Sequence, residues 1–138
     1  MLVAIVYVPA GKPEALEAAA KAMAAAVKTK GHEVELLSTA KGQTQRLVMS
    51  DYVIFGTEPV GLRGKLPARV GELLAQTGGL ASKRSMAFVL KRGPFRSKTI
   101  FRLMKAMEAE GMNVNYGEVV SGPGEAAKAA SEAPIDRT

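Results

Sequence analysis

Two hydrophobic patterns alternate along this chain, and their alternation constrains the fold more than any other feature of the sequence. Short apolar runs bounded by turn residues are typical of strands that are buried in a parallel sheet. Five strand-like segments occur. In chain order they lie at residues 2–8, at residues 33–37, from Asp51 onward, at residues 85–90 and at residues 113–120. Apolar residues recur at helical spacing between them. This alternation predicts an α/β fold with right-handed crossovers and a five-stranded parallel sheet covered on both faces.

The predicted helices have recognisable ends. Pro13 suits the first position of a helix, and Glu14 and Glu17 suit its positive N-terminal end. Gly31 is a typical C-terminal stop for that helix. The other predicted helices lie over residues 67–76, from an N-cap at Ser97 to Gly111, and after residues 121–124, with one helical turn over 46–49.

The length of the chain bounds the number of domains. Its 138 residues can bury one substantial core and are too few for two. We therefore expect a single domain over residues 1–138, with a tail that frays after about residue 133.

The absence of cysteine excludes a disulfide framework, thiolate metal sites, iron–sulfur ligation and a cysteine nucleophile. It fits a reducing cytoplasm, which is where we expect the protein. No run of about 18 apolar residues occurs, so no membrane span is expected. The one histidine, His32, is predicted at the amino edge of the sheet, which leaves no histidine-based triad. No metal site and no catalytic residue are predicted.

Positive charge is concentrated in the middle of the chain. The net charge is +6, and residues 51–100 carry nine of the cations but only three of the acids. Such clustering suggests an anionic partner, although a plain basic surface is also consistent with it. Nucleic acid is not the expected partner, because the basic segment lacks interleaved aromatic residues and any recognisable binding module.

A loop rich in glycine and proline follows the third predicted strand. The apolar run at residues 52–55 stops at Gly56, and the loop then carries Thr57 and the cations Arg63 and Lys65. In open α/β sheets, ligands bind beyond the carboxyl ends of the strands. This loop is therefore a candidate site, together with the loops after the first and fourth strands.

Two parts of the sequence resemble flavodoxins. Residues 4–7, 11–16 and 31–36 are similar to the opening of that family, and residues 51–57 resemble its third strand and the start of its flavin-side loop. The resemblance implies a flavodoxin-like fold, a three-layer sandwich with strand order 2-1-3-4-5. It also implies FMN as the cofactor.

The family holds FMN with three loops, and the resemblance transfers these loops to particular residues. The matching positions are Pro9, Ala10, Gly11 and Lys12 in the first loop, Thr57, Glu58, Pro59 and Gly61 in the second, and Gly93, Phe95 and Arg96 in the third. The hydroxyl residues that grip the phosphate in the family fall here on Val8, Ala10 and Pro13, so Lys12 and the amides at the start of the helix would have to hold it. Phe95 would stack on the flavin ring or pack beneath its own loop.

Two functions stay open from the sequence. In the first, the protein binds FMN or a related anionic ligand at the carboxyl edge of the sheet and has a redox role, as an electron carrier or an FMN-dependent oxidoreductase. In the second, the fold has lost flavin binding and binds another phosphate-bearing ligand or a protein partner. The partners expected are an anionic small molecule or cofactor and a redox protein, with a homodimer left open.

Overall fold

The computed structural model describes residues 1–37, 44–61, 63–91 and 96–136, with the side chains of residues 44, 45, 96 and 97 outside the description. Five parallel strands form one sheet in the order β2-β1-β3-β4-β5. The strands are β1 (Leu2–Val8), β2 (Glu33–Leu37), β3 (Tyr52–Thr57), β4 (Arg84–Leu90) and β5 (Asn113–Val120). The helices are α1 (Glu14–Thr29), α2 (Thr44–Met49), α3 (Ala68–Thr77), α4 (Arg96–Ala109) and α5 (Pro123–Glu132). The predicted fold class and strand order are confirmed.

The sheet separates two hydrophobic cores, which gives the molecule three layers. Successive residues of a strand face opposite sides, so Tyr52 and Ile54 enter one core while Val53 and Phe55 enter the other. The first core contains buried residues of α1 and α5, and the second contains buried residues of α2, α3 and α4. Every residue of β3 is buried, as expected for the middle strand of a covered parallel sheet.

The third strand is longer than the apolar run that predicts it. Gly56 pairs with Tyr7 and Phe88, and Thr57 pairs with Val8, so the strand continues for two residues beyond Phe55. Gly56 fits there because the Phe88 ring covers the place that a Cβ would take, with the Phe88 Cζ 2.0 Å from that position. The glycine therefore belongs to the sheet and does not start the loop.

Two other predictions about element ends need correction. Helix α4 begins at Arg96, so Ser97 lies within its first turn and is not the N-cap. Helix α2 begins at Thr44, two residues before the predicted turn. Near the end of the described chain, Ala133 and Ile135 are buried in the first core. None of the helices in the described part of the chain has the length and apolar character that crossing a bilayer requires.

Candidate functional site

The first and second loops leave the sheet side by side. Residues 9–13 join β1 to α1, and residues 58–67 join β3 to α3. Since β1 and β3 are neighbours in register, with Val8 opposite Thr57, both loops begin at the same point of the carboxyl edge. The Thr57 Oγ1 donates a hydrogen bond of 2.6 Å to the Val8 carbonyl oxygen, which ties the two strand ends together.

A cleft of about 510 Å³ lies between these loops and the start of α1. Its volume is in the range of small-molecule sites in proteins. Its lining consists of Ala10, Gly11, Lys12, Glu14, Ala15, Glu58, Pro59, Val60 and Gly61. Six of the site residues taken from the resemblance therefore share one cleft, whereas Pro9 and Thr57 lie in the same two segments without lining it.

Glu58 joins the two loops from inside. Glu58 is only 2% exposed. Its Oε2 accepts a hydrogen bond of 2.9 Å from the backbone N–H of Ala10, which is 48 positions away in the chain. A carboxylate buried in this way needs donors close by, and a backbone amide is a good one. The sequence placed Glu58 among the site residues but carried no signal for this bond.

The second loop is folded back on itself and held by α4. The Val60 N–H donates to the Lys65 carbonyl oxygen at 2.7 Å in an isolated antiparallel bridge. The buried Thr99 Oγ1 donates to the Gly64 carbonyl oxygen at 2.9 Å, and the Arg102 guanidinium donates to the Arg63 carbonyl oxygen at 2.7 Å. Helix α4 therefore sets the position of the loop that forms one wall of the cleft.

The third loop can be compared with the prediction only in part. Gly93 and Phe95 lie outside the described residues, and so does the side chain of Arg96, whose backbone begins α4. The predicted roles of these three residues stay predictions.

The described residues that line the cleft carry charges of both signs. Among the described lining residues, Lys12 is the one cation, and Glu14 and Glu58 are the two acids. A group of cations lies on α4. Lys98, Arg102 and Lys105 surround Phe101 there, and Phe101 is 67% exposed. These three cations are not among the described residues that line the cleft.

Outside the cleft, the described residues offer little other chemistry. His32 lies at the amino edge of the sheet, as predicted, but its side chain is only 7% exposed and hydrogen-bonds to the Asp136 carboxylate at 3.0 Å. No group of three or more potential metal ligands occurs in the described part of the chain.

No known family's sequence model matches this chain, and no curated protein matches it either. Solved structures do match. Oxidised flavodoxin 1 from Bacillus cereus has a TM-score of 0.73 at 16% identity, over 96% of each chain. Two-electron reduced flavodoxin from Megasphaera elsdenii has a TM-score of 0.73 at 22% identity, over 95% of this chain and 99% of that one. A flavone reductase has a TM-score of 0.75 at 10% identity, over 95% of this chain and 61% of its own.

The fold is flavodoxin-like. The strand order and the near-complete coverage of both chains agree with the resemblance seen in the sequence. At these identities the likeness extends to the fold, and the site has to be judged on its own residues.

The described lining of the cleft has apolar groups for a flat ring system but few donors for a phosphate. The apolar groups of Ala15, Pro59 and Val60 suit a flat ring system. For a phosphate, the first loop has fewer donors to offer, because the Ala10 amide already donates to the Glu58 carboxylate and Pro13 has no N–H. The hydroxyl groups that flavodoxins use there are also missing from this sequence.

Proposed function

We propose that this protein binds a flavin in the cleft between the first and second loops and acts in electron transfer, as a small carrier or a flavin-dependent oxidoreductase. The observation that carries the proposal is the cleft itself, which opens at the carboxyl ends of β1 and β3 in a flavodoxin-like fold. The strand order reverses between these two strands, and ligands of doubly wound sheets bind at such a point. FMN is the flavin that the resemblance names. We propose the cytoplasm as its compartment.

The flavin ring is proposed to lie against the second loop. Pro59 is buried and Val60 is 42% exposed, so together they offer a rigid apolar wall with one accessible side chain. Ala10, Gly11 and Ala15 form the opposite wall. Such a slot would shield one part of the ring from water and leave another part accessible to a redox partner. A bound flavin would supply one- and two-electron redox chemistry.

A flavin titration tests the proposal directly. Binding of FMN or riboflavin should quench flavin fluorescence with a Kd of about micromolar, and the complex should be yellow. Val60→Asp should weaken binding about tenfold or more, because it places a charge against the ring. Val48→Asp is a matched control, since Val48 is 38% exposed but lies on α2, away from the cleft. If neither flavin binds at a flavin concentration of about 10 μM, the proposed function is rejected.

An electron-transfer role requires a partner, and we place its docking surface on α4. Phe101 is a large exposed apolar side chain among Lys98, Arg102 and Lys105. An aromatic residue ringed by cations suits an acidic protein surface, because the charges steer the encounter and the aromatic ring supplies apolar contact. The bonds from Thr99 and Arg102 join α4 to the second loop, whose first residues line the cleft, which supports this choice of surface.

The docking surface can be tested with an acidic two-iron ferredoxin as the probe. Phe101→Ser should leave the flavin affinity unchanged and lower the second-order rate of electron exchange with the ferredoxin by about tenfold at low salt. Met49→Ser is the control, because Met49 is 77% exposed on α2. Equal effects of the two substitutions, or no exchange with the wild-type protein, would reject α4 as the docking surface for an acidic partner.

A further inference from the structure

We infer that Thr99 and Arg102 of α4 are positioning residues for the cleft, because they hold the second loop in the shape that a flavin binds. Neither residue is among the described residues that line the cleft. The inference rests on the proposed flavin function, and it extends the site to two side chains beyond the described lining.

The first step of the argument is the structure of the second loop itself. The loop turns back on itself, with the Val60 N–H donating to the Lys65 carbonyl oxygen at 2.7 Å. Within this turn, Gly61 and Gly64 have φ angles of 71° and 68°, which glycine adopts readily. Glycine loses more conformational freedom on ordering than other residues do, so this turn is costly to hold in one shape. Bonds that reach the turn from elsewhere in the chain therefore help to fix its shape.

The second step is the bond from Thr99. This residue is fully buried, and its Oγ1 donates at 2.9 Å to the carbonyl oxygen of Gly64, which is buried as well. A buried carbonyl group that loses a donor is destabilising, unless the backbone moves so that the group reaches another donor or water. Removal of the Thr99 hydroxyl should therefore loosen the loop at Gly64.

The third step is the short path from Gly64 to the cleft. Gly64 is followed by Lys65, which is bridged to Val60. Val60 lines the cleft together with its neighbours Pro59 and Gly61. Movement at Gly64 is therefore passed through the bridge to the wall of the cleft. A wall that must be ordered again when the ligand binds lowers the affinity for that ligand.

Arg102 makes a weaker connection to the same loop. Its guanidinium donates to the Arg63 carbonyl oxygen at 2.7 Å, but this bond is exposed to solvent. Water can replace a donor at an exposed carbonyl group, so the loss of this bond is less destabilising than the loss of a buried one. We therefore expect Arg102 to contribute less than Thr99 to the position of the loop.

The substitution Thr99→Val tests the inference, because it removes the hydroxyl and nearly keeps the shape of the side chain. Amide hydrogen exchange at Val60, followed by NMR without any ligand, should become about threefold or more faster, since the loop opens more often. The Kd for FMN or riboflavin should rise about threefold to tenfold, as expected from the loss of one hydrogen bond. Thr99→Ser keeps the hydroxyl and should bring both values back to within about twofold of the wild type.

Thr77→Val is the matched control. The Thr77 Oγ1 also donates to a backbone carbonyl oxygen, that of Leu73 at 2.6 Å, but this bond stays within α3 and lies at the C-terminal end of that helix. The control should change neither the exchange at Val60 nor the flavin Kd by more than about twofold. Exchange at Ile54, within the buried strand β3, serves as the internal reference, because it reports the stability of the whole fold.

Unchanged exchange at Val60 in Thr99→Val, or an equal change in Thr77→Val, would overturn the inference. Faster exchange with an unchanged flavin Kd would overturn the link between the loop and the ligand. If the wild-type protein binds no flavin, the proposed function is rejected, and the exchange rates still decide whether Thr99 positions the loop. If Thr99→Val does not fold, Arg102→Gln takes its place, because its exposed bond can be removed without disturbing the core. Unchanged exchange at Val60 in that variant would then overturn the inference.

Discussion

At the scale of single residues, Gly56 is where the sheet leaves no room for a side chain. A Cβ there would lie 2.0 Å from the Phe88 Cζ, and Phe88 is fully buried, so its ring has no solvent to move into. We expect Gly56→Ala to lower the free energy of unfolding by about 1–3 kcal/mol, as overpacking does in other cores. Urea unfolding followed by circular dichroism measures this change.

Gly71 provides the control for Gly56. It lies within α3, and a Cβ at its position would meet nothing within 4 Å. Gly71→Ala should therefore raise stability by about 0.5–1 kcal/mol, because alanine favours helix over glycine. Phe88→Leu should recover part of the loss in a Gly56→Ala background. Equal stabilities of Gly56→Ala and the wild type would show that the ring above Gly56 moves at little cost.

Tyr52 makes the free energy of unfolding depend on pH in the alkaline range. Burial raises the pKa of its hydroxyl, which donates to the Asn115 Oδ1 at 2.7 Å, while the nearby Arg84 opposes the shift. The unfolded chain loses the phenol proton near pH 10, whereas the folded protein keeps it to higher pH. The stability that this group contributes is therefore complete below about pH 10 and declines as the pH rises further.

Tyr52→Phe isolates this effect from the titration of lysines. The variant should lose less stability than the wild type between about pH 9 and pH 11, because it has no phenol proton to release. At neutral pH it should be less stable by about 0.5–1.5 kcal/mol, since the Asn115 oxygen loses its donor. Parallel pH profiles of the free energy of unfolding for the two proteins would contradict the assignment to Tyr52.

At the scale of elements, α1 and α5 meet through alanines. The buried residues with the smallest side chains on these helices are Ala19, Ala20, Ala24, Ala126, Ala129 and Ala130. Small side chains let two helices approach closely, and a larger one must then push them apart. We expect Ala130→Leu to lower the free energy of unfolding by about 1–3 kcal/mol.

Ala25 is the control for Ala130, because it lies on the exposed side of α1. Ala25→Leu should change stability by less than about 0.5 kcal/mol, as surface substitutions usually do. Thermal or urea unfolding of both variants measures the difference. A similar small effect at both positions would mean that the contact between α1 and α5 is loosely packed.

The elements themselves were largely predictable, since their signals are local. The bounds of β1, β2 and β5 agree with the sequence patterns residue for residue. The errors fall where two local signals compete. Ser97 has the side chain of an N-cap, yet the helix begins at Arg96. Gly56 has the appearance of a turn residue, yet the neighbouring Phe88 makes it part of the strand.

At the scale of the whole molecule, two cores share one sheet. The central strands β1, β3 and β4 each contribute buried residues to both cores, one on each face of the sheet. Neither core can therefore form without the other. We expect a single cooperative unfolding transition, as is usual for single domains of this length. The tyrosines Tyr7, Tyr52 and Tyr116 all belong to the first core, so their fluorescence reports the side of α1 and α5.

A tryptophan placed on the other side makes this prediction testable. Phe101→Trp uses an exposed position of α4 in a chain that has no tryptophan of its own. Its fluorescence, that of the tyrosines and far-UV circular dichroism should all give the same urea midpoint. Separate midpoints for the two fluorescence signals would show that the layers unfold independently.

The sequence by itself determined the class of fold, the order of the strands and the two loops that meet at the carboxyl edge. The class of fold and the positions of the loops follow from hydrophobic periodicity and turn residues, which act over a few neighbouring positions, and from the handedness of parallel crossovers, whereas the strand order is what the resemblance to flavodoxins implies. Only the tertiary structure decided which of the described charged residues line the cleft. The bond from Ala10 to Glu58 joins residues 48 positions apart, and the described cations Lys98, Arg102 and Lys105 of α4 line a different concavity. Residues far apart in the chain come close together only after the sheet has formed, so no local sequence pattern predicts such contacts.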